Sequence, residues 1–152
     1  MNPTTALTVF QRIQALSACL VFSPVPASNL GVLAEIMETE RLGAGELLFE
    51  SGDPSDRAYV VVSGRLAILL PGRSDPVRCL GPAELLGEYG MFSGLVRTAS
   101  ARAETDTVLL SLDYRRFLAF LVHFPESMLV LFRTVVHRLI ALERTGGGGS
   151  ST

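Results

Sequence analysis

The sequence contains no lysine. Its 13 basic residues are all arginine, set against 15 acidic ones for a formal charge of −2 at neutral pH. A chain so balanced exerts no general pull on a polyanion, which excludes nucleic-acid binding through bulk charge; an anion bound here must be held by local geometry. The missing lysine also excludes a Walker A phosphate loop, since GPAELLGE (81–88) has no Lys-Ser/Thr pair to follow its glycine. Charge of either sign is scarce: 18% of residues, with a mean hydropathy of +0.38, against roughly 25% charged in an average globular protein. That shortfall implies more apolar surface than one small core can hide, so part of it is expected to face a second copy or another domain.

Long apolar runs are absent as well; none approaches the ~20 residues that span a bilayer, so no membrane contact by this chain is expected. ALSACLVF (15–22) follows Arg12 and has the look of a weak signal-peptide core, with Val25-Pro26-Ala27 as a poor cleavage site. An amphipathic helix is the better reading, because Phe10, Ile13, Leu16 and Leu20 fall at helical spacing. Cys19 and Cys79 form no CxxC and show no paired spacing, as expected of a cytoplasmic protein with two ordinary thiols. His123 and His137 are too far apart for a zinc helix motif and have no cysteine or paired carboxylate beside them. In GMFSG (90–94) the serine stands one place too late for a nucleophile elbow. No catalytic residue, no metal site and no cofactor are therefore expected, and the chain does not read as an enzyme.

At 152 residues the chain has the size of one domain. Residues 4–38 read as helical, broken at SPVPAS (23–28), with Ser28 or Asn29 as the cap of NLGVLAEIM. From about 40 to 112 the segments ELLFE, AYVVV, RLAILL, VRCL, TASARA and TVLLSL are short and rich in aliphatic residues. Turn signals with Gly, Pro or Asp separate them. Short strands without helices between them predict an antiparallel jelly-roll-like β-roll. Helix returns over 113–144, where Asp113 caps DYRRFLAFLVHF and Pro125 opens a second helix. There Met128, Phe132, Val135, Leu139 and Leu142 form a short heptad seam, and Leu129, Val136 and Ile140 a second apolar line. Either one line packs on the β-roll and the other on a partner, or both bury within one monomer. TGGGGSST (145–152) reads as a flexible tail or linker. The fold expected is mainly β with flanking helices: a jelly-roll-like β-roll, an N-terminal helical segment and two C-terminal helices.

The stretch LLGEYGMFSGLVRTASA (85–101) sets one carboxylate, Glu88, and one arginine, Arg97, among apolar residues and glycines. Two readings are open: the pair bridge each other across a loop, or they share a ligand with an anionic end and a hydroxyl. Arg97 offers a planar fork of donors suited to two phosphate oxygens. Ionised Glu88 only accepts, which suits a donating hydroxyl. Gly87 and Gly90 allow close backbone approach.

ELLFESGDPSDRAYVVVSGRLAILL followed by LLGEYGMFSGLVRTASA resembles a cyclic nucleotide-binding domain, the family of catabolite activator proteins, cyclic-AMP-dependent kinase regulatory subunits and cyclic nucleotide-gated channels. The Gly-Asp-Pro turn (52–54), the Ser63-Gly64-Arg65 turn and Gly-Glu followed nine residues later by Arg-Thr-Ala carry the likeness. The resemblance covers roughly 10–144 and implies one domain over 1–144. It implies a ligand site at Gly87, Glu88, Tyr89, Gly90, Arg97, Thr98 and Ala99, with Arg97 on the phosphate and Glu88 on the ribose 2′-hydroxyl. Departures from the family pattern are Leu86 for an aromatic, Tyr89 and Gly90 for an aliphatic and a small residue, and Val96 for proline. Cyclic AMP is the ligand expected, with cyclic GMP the alternative because Thr98 follows the arginine. The resemblance further implies that the last helix closes over the base, with Arg133 and His137, one turn apart, as candidate lid residues. The apolar lines of the same helix lead us to expect a homodimer through it, and ligand binding is expected to be relayed by movement of the C-terminal helices to a partner or fused effector. The tail begins where a family transcription factor would start its helix-turn-helix, so no DNA contact by this chain is expected. A domain that keeps the fold for interaction or dimerisation and binds no ligand is the rival expectation.

Overall fold

In the computed structural model, which describes residues 6–87 and 96–144, the chain opens on a capped helix. The Thr8 hydroxyl accepts from the Gln11 N–H at 3.1 Å, and the Gln11 side chain accepts from the Thr8 N–H at 2.9 Å. This reciprocal box starts α1 (Val9–Ala18). Its buried stripe differs from the expected one. Leu16 is fully buried and Ile13 half-buried, but Phe10 points to solvent, and Leu20 lies beyond the cap at Cys19 and is exposed. The helix ends one turn too early for the spacing to continue. Helix α2 (Ala27–Ile36) begins at Pro26, not at Ser28 or Asn29, and has no side-chain cap. The fixed φ of proline makes the entry, and Asn29 is employed elsewhere.

Eight strands follow among the described residues: β1 (Glu38–Leu42), β2 (Leu47–Phe49), β3 (Arg57–Ser63), β4 (Leu66–Leu69), β5 (Arg78–Leu80), β6 (Leu85–Leu86), β7 (Ser100–Ala103) and β8 (Thr107–Asp113). They form two four-stranded antiparallel sheets, β1-β8-β3-β6 and β2-β7-β4-β5. Strand β1 was not expected, because its glutamates and arginine hide the alternation that marks a strand. The turn between β3 and β4 requires Gly64. Its φ is +92°, and a Cβ there would press on the carbonyl of Asp106 and on Thr107.

Alternation along β3 sorts the interior into two cores. Ala58 and Val60, with Leu110 and Leu112 of β8, face the helices and meet Leu16, Phe22 and Leu33. Tyr59 and Val61, with Leu109, face the second sheet and meet Leu66, Ile68 and Leu80. The fold is therefore a β-roll of two sheets, with helices packed on the outer face of one.

The Asp113 side chain accepts from the N–H groups of Arg115 and Arg116 at 2.8 and 3.2 Å and starts α3 (Tyr114–His123). Pro125 opens α4 (Pro125–Arg144), as its composition led us to expect. The packed stripe of α4 is displaced from both expected apolar lines. Ser127 and Leu131 are buried, whereas Met128, Phe132 and Leu139 of the seam and Leu129 and Ile140 of the second line are exposed. Val135 and Val136 are half-buried, and the Leu142 side chain lies outside the described residues. Neither line buries within the monomer.

Candidate functional site

The Gly-Asp-Pro turn grips the backbone of Arg97. The Gly52 N–H donates to the Arg97 carbonyl and the Arg97 N–H donates to the Asp53 carbonyl, both at 2.8 Å, while Pro54 and Val96 form an isolated antiparallel bridge. With its backbone held from both sides, Arg97 turns its side chain inward. The residue is 3% exposed.

The guanidinium lies on an aromatic shelf. Its carbon is 4.2 Å from the Phe49 ring centre and 5.7 Å from that of Tyr59. Burial, with some help from Glu40, pushes the Tyr59 phenol up to about 12, against the opposing pull of Arg97. Tyr59 thus presents a neutral ring to the cation at any ordinary pH. Nη2 of Arg97 donates to the Arg57 carbonyl at 2.7 Å. Nε and Nη1 are buried and have no hydrogen-bond partner among the described residues.

Magnitudes decide how to read this arrangement. A desolvated cation–π contact contributes about 2 kcal/mol, and each buried donor left unmet costs about 1–3 kcal/mol. Two unmet donors on a buried cation therefore offset what the shelf supplies. An anion with two oxygens in the guanidinium plane would satisfy both.

Gly87 makes the adjoining gap. Its φ is +92°, and a Cβ there would sit 2.9 Å from the Arg57 carbonyl oxygen and 3.0 Å from Nη1 of Arg97. Any side chain would fill the space before the fork. Gly87 and Arg97, ten positions apart in sequence, are thus brought face to face.

The other expected site residues divide. Thr98 is exposed beside Arg97, whereas Ala99 is fully buried and packs into the core between the sheets. Glu88, Tyr89 and Gly90 lie outside the described residues. Arg133 and His137 are exposed on α4, and among the described residues no hydrogen bond, ion pair or ring contact joins either to Arg97. Phe49, Tyr59 and the Arg57 carbonyl were not anticipated. Their strands were legible, but which strand faces which is set by sheet pairing.

The cyclic nucleotide-binding domain family model matches residues 39–124, more than half of the chain. The chain belongs to this family. The CRP-like cAMP-activated global transcriptional regulator of Mycobacterium tuberculosis is 27% identical over 83% of this chain and 58% of the regulator. A cyclic nucleotide-gated potassium channel of Mesorhizobium japonicum is 30% identical over 91% of this chain and 36% of the channel. The chain thus spans little more than half of the first relative and about a third of the second. Among solved structures, the N-terminal domain of a transcriptional regulator from Streptomyces coelicolor superposes with a TM-score of 0.77 at 31% identity, covering 90% of this chain and 96% of that one. Gly87 and Arg97 both fall within the matched residues. No helix among the described residues is long and apolar enough to cross a membrane.

Proposed function

We propose that this domain is a sensor that binds cyclic AMP in preference to cyclic GMP and relays binding through its C-terminal helices. The observation that carries this reading is Arg97: a buried guanidinium whose Nε and Nη1 have no hydrogen-bond partner among the described residues, with Nη1 facing the gap at Gly87. A cyclic phosphodiester brings one negative charge and two exocyclic oxygens, the match of one cation and a planar fork. Glu88 is the proposed partner of the ribose 2′-hydroxyl, and Thr98, exposed beside Arg97, is the proposed partner of the phosphate or the base. The preference for cyclic AMP rests on the mycobacterial regulator, which is named as cAMP-activated.

A second reading has its own support. Five large apolar side chains of α4, Met128, Leu129, Phe132, Leu139 and Ile140, are exposed. Such a helix suits a homodimer, and dimerisation with no ligand at all would use the same surface. A thermal melt separates the two. Ligand at 100 times its Kd stabilises the bound fold by about 2.7 kcal/mol, so cyclic AMP should raise the melting temperature and 5′-AMP should not. A melting temperature unmoved by either cyclic nucleotide would favour the interaction module.

A further inference from the structure

We propose that the turn at 52–56 together with Tyr114 couples the Arg97 pocket to the C-terminal helices, with Tyr114 as a positioning residue. This rests on the nucleotide-binding reading above. The two halves of the turn hold two different things. Gly52 and Asp53 hold the backbone of Arg97 through the reciprocal pair at 2.8 Å. Ser55 and Asp56 hold Tyr114: the Tyr114 N–H donates to the Asp56 carbonyl at 3.0 Å, and the two hydroxyls lie 3.2 Å apart.

The Tyr114 hydroxyl also donates to the Gly87 carbonyl at 2.6 Å. A carbonyl only accepts, so the phenol proton is committed to Gly87 and Ser55 must be the donor to the phenol oxygen. The bonds run in one direction, Ser55 to Tyr114 to Gly87, and each polarises the next. Gly87 closes the circuit, because its α-carbon faces Nη1 of Arg97 and the same Arg57 carbonyl that Nη2 engages.

Tyr114 is the first residue of α3. An anion drawn onto Arg97 cannot displace Gly87 without stretching this bond or carrying the start of α3 with it. Tyr114 makes no contact with the guanidinium itself; it holds the glycine that leaves the fork open.

Tyr114→Phe removes only the hydroxyl and keeps the ring, so it tests the link in the whole 152-residue chain. Calorimetric titration with cyclic AMP should give an affinity about five- to tenfold weaker than the parent, the loss of one neutral hydrogen bond. Ser55→Ala should shift it in the same direction by less. Affinity within twofold of the parent, or tighter, would overturn the proposal, since a purely structural hydroxyl lowers the melting temperature and leaves affinity alone. A ligand-free readout keeps the test independent of the nucleotide. Exchange of the Arg97 Nε–H with water, followed by nitrogen-15 NMR, should be about fivefold or more faster in Tyr114→Phe. Unchanged exchange would overturn the coupling. Faster exchange in a protein whose parent form binds neither cyclic nucleotide would sustain the coupling and refute the sensor reading.

Discussion

Glu40 places a carboxylate where the register asks for an apolar side chain. It pairs with Leu109 across β1 and β8 and so shares the face that Leu109 and Val61 turn toward the second sheet. Its Oε2 is buried with no hydrogen-bond partner among the described residues. Burial raises its carboxyl above the usual value, Arg57 opposes this, and Glu38 adds to it. The sign follows from linkage. A carboxyl whose folded value is raised contributes fully while protonated, below the unfolded value of about 4.3, and the contribution is lost as pH rises through the folded value. Glu40→Gln should therefore melt higher than the parent at pH 7.5, the difference vanishing as the pH falls below about 4. A lower melting temperature for the variant at pH 7.5 would contradict this. Arg97 was legible before the structure because an arginine nine residues after Gly-Glu stands out in an apolar stretch. Glu40 and the aromatic shelf were not. Their environment is made by strands far away in sequence, and a glutamate in a strand reads as solvated.

At the scale of elements, a polar pin joins the N-terminal helices to α4. The Asn29 amide donates to Glu126 at 3.1 Å and to the Ser127 hydroxyl at 3.0 Å, and both Asn29 and Ser127 are buried. This bond explains why Asn29 does not cap α2: its side chain is turned to the first turn of α4. Asn29→Ala should lower the unfolding free energy by about 1–3 kcal/mol, the range for a buried group left unpaired, as read from urea denaturation. A loss below about 0.5 kcal/mol would show that the pin adds nothing. A second clamp acts on the same segment. The Arg12 side chain donates to the carbonyls of Leu7, Ala34 and Met37, tying α1 to the end of α2. The cap at Asp113 and the helix start at Pro125 were legible because each acts within its own turn. Which apolar line of α4 the rest of the chain covers was not legible, since heptad spacing marks which residues share a face and not which face is covered.

Over the whole molecule, the two cores divide the labour. One fastens the helices to the outer face of the first sheet; the other closes the roll and carries Phe49 and Tyr59 to its edge, where Arg97 rests. The cation sits at a junction of both sheets, the 52–56 turn and the start of α3. The β-roll with flanking helices was legible from short strands and turn residues, whereas the exposure of α4 depended on docking. The measurement that bears most directly on the sensor reading is calorimetric titration with cyclic AMP and cyclic GMP of the parent, Arg97→Ala and Arg97→Lys. Saturable binding by the parent is expected, about 10- to 100-fold weaker in Arg97→Ala, for the loss of charged hydrogen bonds of about 1.5–3 kcal/mol. Arg97→Lys should fall between, keeping the charge and losing the fork. Equal binding by all three proteins, or no heat with either nucleotide in the parent, would contradict it.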